Sequence, residues 1–182
     1  MIDTTLNRRA FLKALTSIAA AAAVLPLIPV SAGILTDENK MDDLEKKVFS
    51  KLIQVCLPTQ GTNLVDPSTL PVLATIEGAL LAGMAPHIRQ GLRGGIGYFN
   101  SATKDQFGSE FVELSESKAA RFIDDWSGSD QIPHRALAMG LKKLTVLAYW
   151  AIPNTWAPLG YDGPVTDKAG IKIYGNAPEP KV

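Results

Sequence analysis

Apolar positions recur at helical spacing in several stretches of this chain, and proline- or glycine-bearing joints separate them. Leu44, Val48, Phe49, Leu52, Ile53 and Cys56 make the first stripe, with Glu45, Lys46, Lys47 and Lys51 between them. That pattern predicts an amphipathic helix closed by Pro58. Gly61, Asn63, Asp66, Pro67 and Ser68 then mark a loop; Pro71 lies near the next helix start, with Thr69 as its candidate cap. Val72, Leu73, Ile76, Leu80 and Leu81 form the apolar face of this second helix, and Pro86 opens a third with Ile88, Leu92, Ile96 and Phe99. A segment near residues 103–114 carries Phe107, Phe111 and Leu114, after which Ser115 is placed to cap a helix bearing Ala119, Phe122, Ile123 and Trp126. Pro133 begins the longest helix, where Leu137, Leu141, Leu144, Leu147, Ala148 and Ala151 form a broad stripe ending before Pro153.

Nowhere do apolar and polar residues alternate long enough, with β-branched enrichment, to predict a strand. The pattern is all-α, with about five helices. Gly91, Gly94, Gly95 and Gly97 fall inside the third helix. Each costs about 0.5–1 kcal/mol against alanine there, so the cluster predicts close approach by another backbone. It is not a phosphate loop: Gly-Leu-Arg-Gly-Gly-Ile-Gly fits neither glycine fingerprint, and no strand precedes it.

The N-terminus follows a different grammar. Asn7-Arg8-Arg9-Ala10-Phe11-Leu12-Lys13 precedes an uncharged, alanine-rich run and then the small residues Val30-Ser31-Ala32. This is the layout of a cleavable export peptide, and Arg8, Arg9, Phe11, Leu12 and Lys13 match the twin-arginine (Tat) consensus. Residues 14–35 are also just long enough to span a bilayer, so an uncleaved anchor is a rival; Pro26, Pro29 and the alanine run at 19–23 weaken it. The organisation expected is a signal peptide over 1–32, a helical domain over 33–152 and an irregular Pro/Gly-rich arm over 153–182.

Charge and cysteine content narrow the function. The chain is formally neutral, and the leader holds Arg8, Arg9 and Lys13 against Asp3, which leaves the remainder mildly acidic. No basic field is left to attract nucleic acid. With a single cysteine, Cys56, no internal disulfide can form. Cys56 is read either as a buried thiol or as one half of an intersubunit disulfide.

Chemistry is sparse. His87 and His134 are the only histidines, so no haem, zinc or iron–sulfur motif is present and no cofactor or metal site is readable. No Gly-x-Ser-x-Gly elbow occurs. Asp124 and Asp125 are adjacent on a helix and point in different directions, which suits a solvated helix end. The arm, in contrast, combines Pro153, Pro158, Pro164, Pro178 and Pro180 with Trp156, Leu159, Tyr161, Ile171, Ile173 and Tyr174. Solvated tails are poor in aromatics, so the arm is expected to dock, either on its own domain or on another protein. Trp156, Leu159, Tyr161 and Pro164 are its candidate contacts. From the residues alone, a stand-alone periplasmic oxidoreductase or hydrolase and a periplasmic scaffold remain alternatives to an accessory subunit.

Several segments together resemble the small subunit of flavin-dependent dehydrogenases of the glucose-methanol-choline type, the gluconate 2-dehydrogenase subunit 3 group, which includes the small subunit of bacterial FAD-dependent glucose dehydrogenase. They are the leader, Leu57-Pro58-Thr59, Val65-Asp66-Pro67-Ser68-Thr69-Leu70-Pro71, Gly91-Leu92-Arg93-Gly94-Gly95, Phe107-Gly108 with Phe111 and Leu114-Ser115, and Trp156-Ala157-Pro158-Leu159-Gly160-Tyr161-Asp162-Gly163-Pro164. The resemblance implies a non-catalytic subunit that binds a large FAD-containing subunit, aids its maturation and takes it through the Tat translocase as a passenger. It also implies a periplasmic complex at the inner membrane. There the flavin and any iron–sulfur cluster belong to the large subunit, and a multihaem cytochrome c subunit often accepts the electrons.

Overall fold

A computed structural model describes residues 40–171. The export signal, with Arg8, Arg9, Phe11, Leu12 and Lys13, and the end of the arm, with Ile173 and Tyr174, lie outside the described residues. Within them are seven α-helices and no strand. In chain order they are α1 (Asp43–Cys56), α2 (Val72–Thr75), α3 (Pro86–Ser101), α4 (Lys104–Phe107), α5 (Glu116–Ser127), α6 (Ile132–Trp150) and α7 (Val165–Lys168). α1, α3, α5, α6 and α2, the last a single turn continued by a π-helical one, answer to the five helices the periodicity predicts; α4 and α7 are further single turns.

α1 and α6 form the centre. α1 packs on α2, α3, α5 and α6, while α6 also touches α2, α3 and α5. Val48, Phe49 and Leu52 of α1 meet Leu137, Leu141 and Ala148 of α6 in the core, and all six are buried. An aromatic group joins α3 to α5 through the 3-10 turn between them: Phe99 of α3 sits 4.7 Å from Phe111 of that turn (Phe111–Glu113) and 5.1 Å from Phe122 of α5, and Trp126 sits 4.7 Å from Phe122. Tilted and edge-on pairs at such distances add about 0.5–1.5 kcal/mol each beyond the area they bury.

α2 runs directly into a π-helical turn, Ile76–Leu81, with the Ala82 N–H reaching the Glu77 carbonyl at 3.0 Å. The widened turn lets Ile76 and Leu81 both enter the core, and it places Glu77 against the chain entry, where its Oε1 accepts the Met41 N–H at 2.6 Å. Pro86 stands in the first turn of α3 and Pro133 in that of α6, as expected of a residue that lacks an N–H the helix start does not need.

Several local expectations are corrected. Thr69 caps no helix; it ends a 3-10 turn, Pro67–Thr69, that Asp66 caps through the Ser68 N–H. Ser115 occupies the N-cap of α5, but its hydroxyl faces that of Ser117 at 3.2 Å instead of a backbone N–H. In α6, Leu147 and Ala151 are exposed, and Thr145 and Tyr149 take the inward places. Thr145 is satisfied by the Leu141 carbonyl, and the Tyr149 hydroxyl donates to the Val65 carbonyl at 2.7 Å, pinning the loop before α2. The α3 glycines are not explained by a neighbouring backbone. A Cβ at Gly95 would meet the Leu137 side chain at 3.2 Å, whereas Gly94 and Gly97 face open space.

The largest departure is Glu45, which alternation placed on the solvated face of α1. It is 1% exposed and pairs with Arg89 of α3, itself 2% exposed. Both terminal guanidinium nitrogens of Arg89, Nη1 and Nη2, donate to the carboxylate, the latter at 2.7 Å. Glu45 also closes a capping box with Asp42: its Oε2 accepts the Asp42 N–H at 2.9 Å, and Asp42 Oδ1 accepts the Glu45 N–H at 2.8 Å. Arg89 and Arg93 each donate to the Lys40 carbonyl, at 3.1 and 2.8 Å, and Arg93 lies 3.3 Å from Asp42.

Burial alone would raise the Glu45 pKa. The Arg89 hydrogen bonds, the Asp42 N–H and the charges of Arg89 and Arg93 outweigh burial and hold it below the ordinary 4.5. A depressed folded-state pKa contributes stability that is complete above the unfolded value and is lost as pH falls through the folded one. Glu45→Gln, which leaves Arg89 buried without a counter-charge, is expected to cost about 3–5 kcal/mol at neutral pH. Urea unfolding checks this: the gap between wild type and variant should narrow as pH drops below about 4.5, because the protonated Glu45 resembles glutamine.

Candidate partner interface

The arm begins where α6 stops. Ile152 is buried, Pro153 starts a 3-10 turn (Pro153–Thr155), and the Thr155 hydroxyl donates to the Ile152 carbonyl at 2.8 Å. A second 3-10 turn, Ala157–Leu159, follows at once and ends at Gly160 in the left-handed region, φ 68°. The Trp156 indole N–H donates to the Trp150 carbonyl at 2.8 Å, so the last turn of α6 and the start of the arm are hydrogen-bonded to each other. Tyr161 returns edge-on to Trp156 with ring centroids 5.2 Å apart, its N–H on the Trp156 carbonyl. Gly163 adopts φ 105°, a conformation a side chain would strain, and a Cβ there would lie 3.6 Å from the Trp156 ring. Lys168 of α7 pairs with Asp162.

This geometry brings three of the four candidate arm residues together. Trp156 is half-buried beneath Tyr161, and Leu159 projects from the turn between them. Leu159 is 56% and Tyr161 45% exposed, and further along the chain Val165 and Ile171 are exposed as well. Pro164 is half-buried as the N-cap of α7. Sequence reasoning missed Ile132, Met139 and Leu147, which are exposed on α6; the available signal was that α6 is apolar on more than one face.

The Cys56 thiol is half-buried against the core, and burial is the main reason its pKa is pushed up to about 11; Lys142 lowers it and Asp124 raises it further. His134 stacks on Trp126 with ring centroids 4.1 Å apart and shares a 2.8 Å hydrogen bond with the Tyr98 hydroxyl. Burial lowers its pKa, which favours the neutral ring in that stack. His87 is exposed beside an open cleft of about 410 Å³ lined by Pro86, Arg89, Gln90 and Arg93, whose deepest charge, Arg89, is committed to Glu45. Asp124 and Asp125 are both exposed on α5, in keeping with a solvated helix end. Among the described residues no three His, Cys, Asp or Glu side chains cluster as a metal site, and no helix is long and apolar enough to cross a membrane.

Residues 43–163 match the family model of gluconate 2-dehydrogenase subunit 3. The chain belongs to that family. Its members are small, non-catalytic subunits that accompany a larger dehydrogenase catalytic subunit. Comparison with curated proteins and with solved structures returned no match. The boundaries of the family match are informative: they take in α1 to α6 and the arm as far as Gly163, so Trp156, Leu159 and Tyr161 belong to the shared part of this subunit 3 chain.

The Cys56 environment gives a direct test of thiol reactivity. A rise from 9.0 to about 11 lowers the thiolate fraction at pH 8 about 100-fold. Iodoacetamide should therefore alkylate the folded chain about 100-fold more slowly than the same chain unfolded in urea. Comparable rates would show an accessible, ordinary thiol.

Proposed function

We propose that the chain is the accessory subunit of an FAD-dependent alcohol or sugar dehydrogenase: it docks on the large flavoprotein, aids its maturation and carries it through the Tat translocase to the periplasm. In this reading the flavin and any iron–sulfur cluster reside in the large subunit, and a multihaem cytochrome c passes the electrons on at the inner membrane. The single observation that carries the proposal is the exposed apolar surface of Leu159 and Tyr161, held in place by Trp156 within the family-matched region. An arm whose backbone and indole are fixed in advance loses little entropy on binding, and large aromatics commonly supply the strongest interface contacts. The twin arginines fit this division of labour, since one Tat address suffices for two chains that fold together first.

Two experiments test the two halves of the proposal. With Arg8→Lys and Arg9→Lys together, the flavoprotein is expected to stay in the cytoplasm with this chain; normal arrival in the periplasm would overturn passenger transport. For docking, Trp156→Ala and Tyr161→Ala are each expected to weaken the complex by about 2 kcal/mol, roughly 30-fold. The readout is flavin absorbance per chain after co-purification, with thermal unfolding confirming that the variant subunit is folded.

A further inference from the structure

Beyond its core face, α6 carries a second apolar set that the fold does not use. Ile132 is 66%, Met139 52% and Leu147 42% exposed. With Arg135 and Lys143, also exposed, they fall at intervals of three or four residues and so form one stripe along the helix. From Ile132 to Leu147 it runs about 22 Å at 1.5 Å per residue. Ala151 continues it to the point where the arm leaves. The helix contains no Asp or Glu, and among the described residues the one carboxylate paired to it, Asp124, already lies 3.6 Å from Lys142. The stripe thus alternates apolar and charged positions, and its charged positions are purely cationic.

We propose that this stripe seats an acidic amphipathic segment of the catalytic flavoprotein, apolar residues against Met139 and Leu147 and carboxylates against Arg135 and Lys143, in one continuous interface with the arm. This rests on the accessory-subunit reading and adds to it a second contact surface and the charge of its occupant.

Charge argues against the other occupants. A second copy placed α6 to α6 sets cation against cation in either direction, since antiparallel pairing about Met139 opposes Arg135 to Lys143; like charges brought together at an interface are costly. The leader over residues 1–32 is net positive, as is the stretch over 172–182, with Lys172 and Lys181 against Glu179. Only residues 33–39, with Asp37 and Glu38, have the right sign. As a helix those few residues would span about 10 Å, under half the stripe.

The test uses the full chain purified from its host with the flavoprotein bound. A photo-crosslinking amino acid at position 139 should attach to the flavoprotein; attachment within the chain or to a second copy overturns the inference. Met139→Glu combined with Lys143→Glu should lower co-purified flavin per chain about tenfold or more while the thermal midpoint of the subunit alone is unchanged. If that variant retains flavin like wild type while Trp156→Ala loses it, the arm docks and the α6 stripe does not. If wild type itself carries no flavoprotein, the accessory-subunit reading fails first, and the stripe inference with it.

Discussion

The fold depends on a buried ion pair at the point where the chain enters it. Glu45 and Arg89 are almost wholly out of water, a placement that costs several kcal/mol per charge unless each hydrogen-bonding site is met. Here the sites are met by different segments: Arg89 from α3, the Asp42 N–H from the start of α1, and the Lys40 carbonyl, which takes both arginines. Glu77 holds the next N–H from the π-helical turn. Replacing such a pair by apolar residues often stabilises a protein, so its value is not chiefly energetic. What it supplies is register. A slide of α1 along α3 would strand two charges in the core, and because α1 touches α2, α3, α5 and α6, its register constrains the whole bundle.

The C-terminal end of α6 is tied by hydrogen bonds between neutral groups. Tyr149 reaches across to the Val65 carbonyl and Trp156 back to the Trp150 carbonyl, so both anchor points belong to the end of the central helix α6. The arm therefore inherits the rigidity of the core although it contains little regular structure. Apolar side chains on a fixed support present a surface whose ordering is complete before any partner arrives, which is the condition under which aromatic contacts yield most of their energy as affinity.

The helices were legible because each has a clear stripe and a proline or glycine at its joints. Individual residues were legible only where type and environment agree. Glu45 lies at a helical position adjoining the Val48–Phe49–Leu52 face, yet a glutamate among lysines reads as solvated; the Asp42-x-x-Glu45 capping box was the readable hint that it turns toward the chain start. No comparable hint exists for Arg89, since only the fold brings residues 45 and 89 together. In α6 the apolar residues surround the helix, so periodicity could not choose between Leu147 and Tyr149 for the inward place; the Val65 carbonyl, distant in sequence, decides it. The arm's aromatics were legible as a docking element because their composition is wrong for a solvated tail. That Trp156 would be the support and Tyr161 and Leu159 the exposed surface required the turn geometry.

These features meet in α6, a helix with two apolar faces. A free-standing protein has little use for Ile132, Met139 and Leu147 in water, and burying them inward would require α6 to rotate about its axis. Rotation is blocked from both ends: Tyr149 is bound to Val65, and Leu137 packs against the space left by Gly95, where a Cβ would lie 3.2 Å away. Gly95 thus sets how closely α3 and α6 approach, and with it the face α6 turns outward. The surplus apolar face is fixed by the same packing that fixes the core, so the bundle can fold with its cationic, apolar stripe already in position. In the proposed complex, the flavoprotein would meet a surface that needs no rearrangement to receive it, and the internal constraints that fix the core would also specify how the partner is oriented.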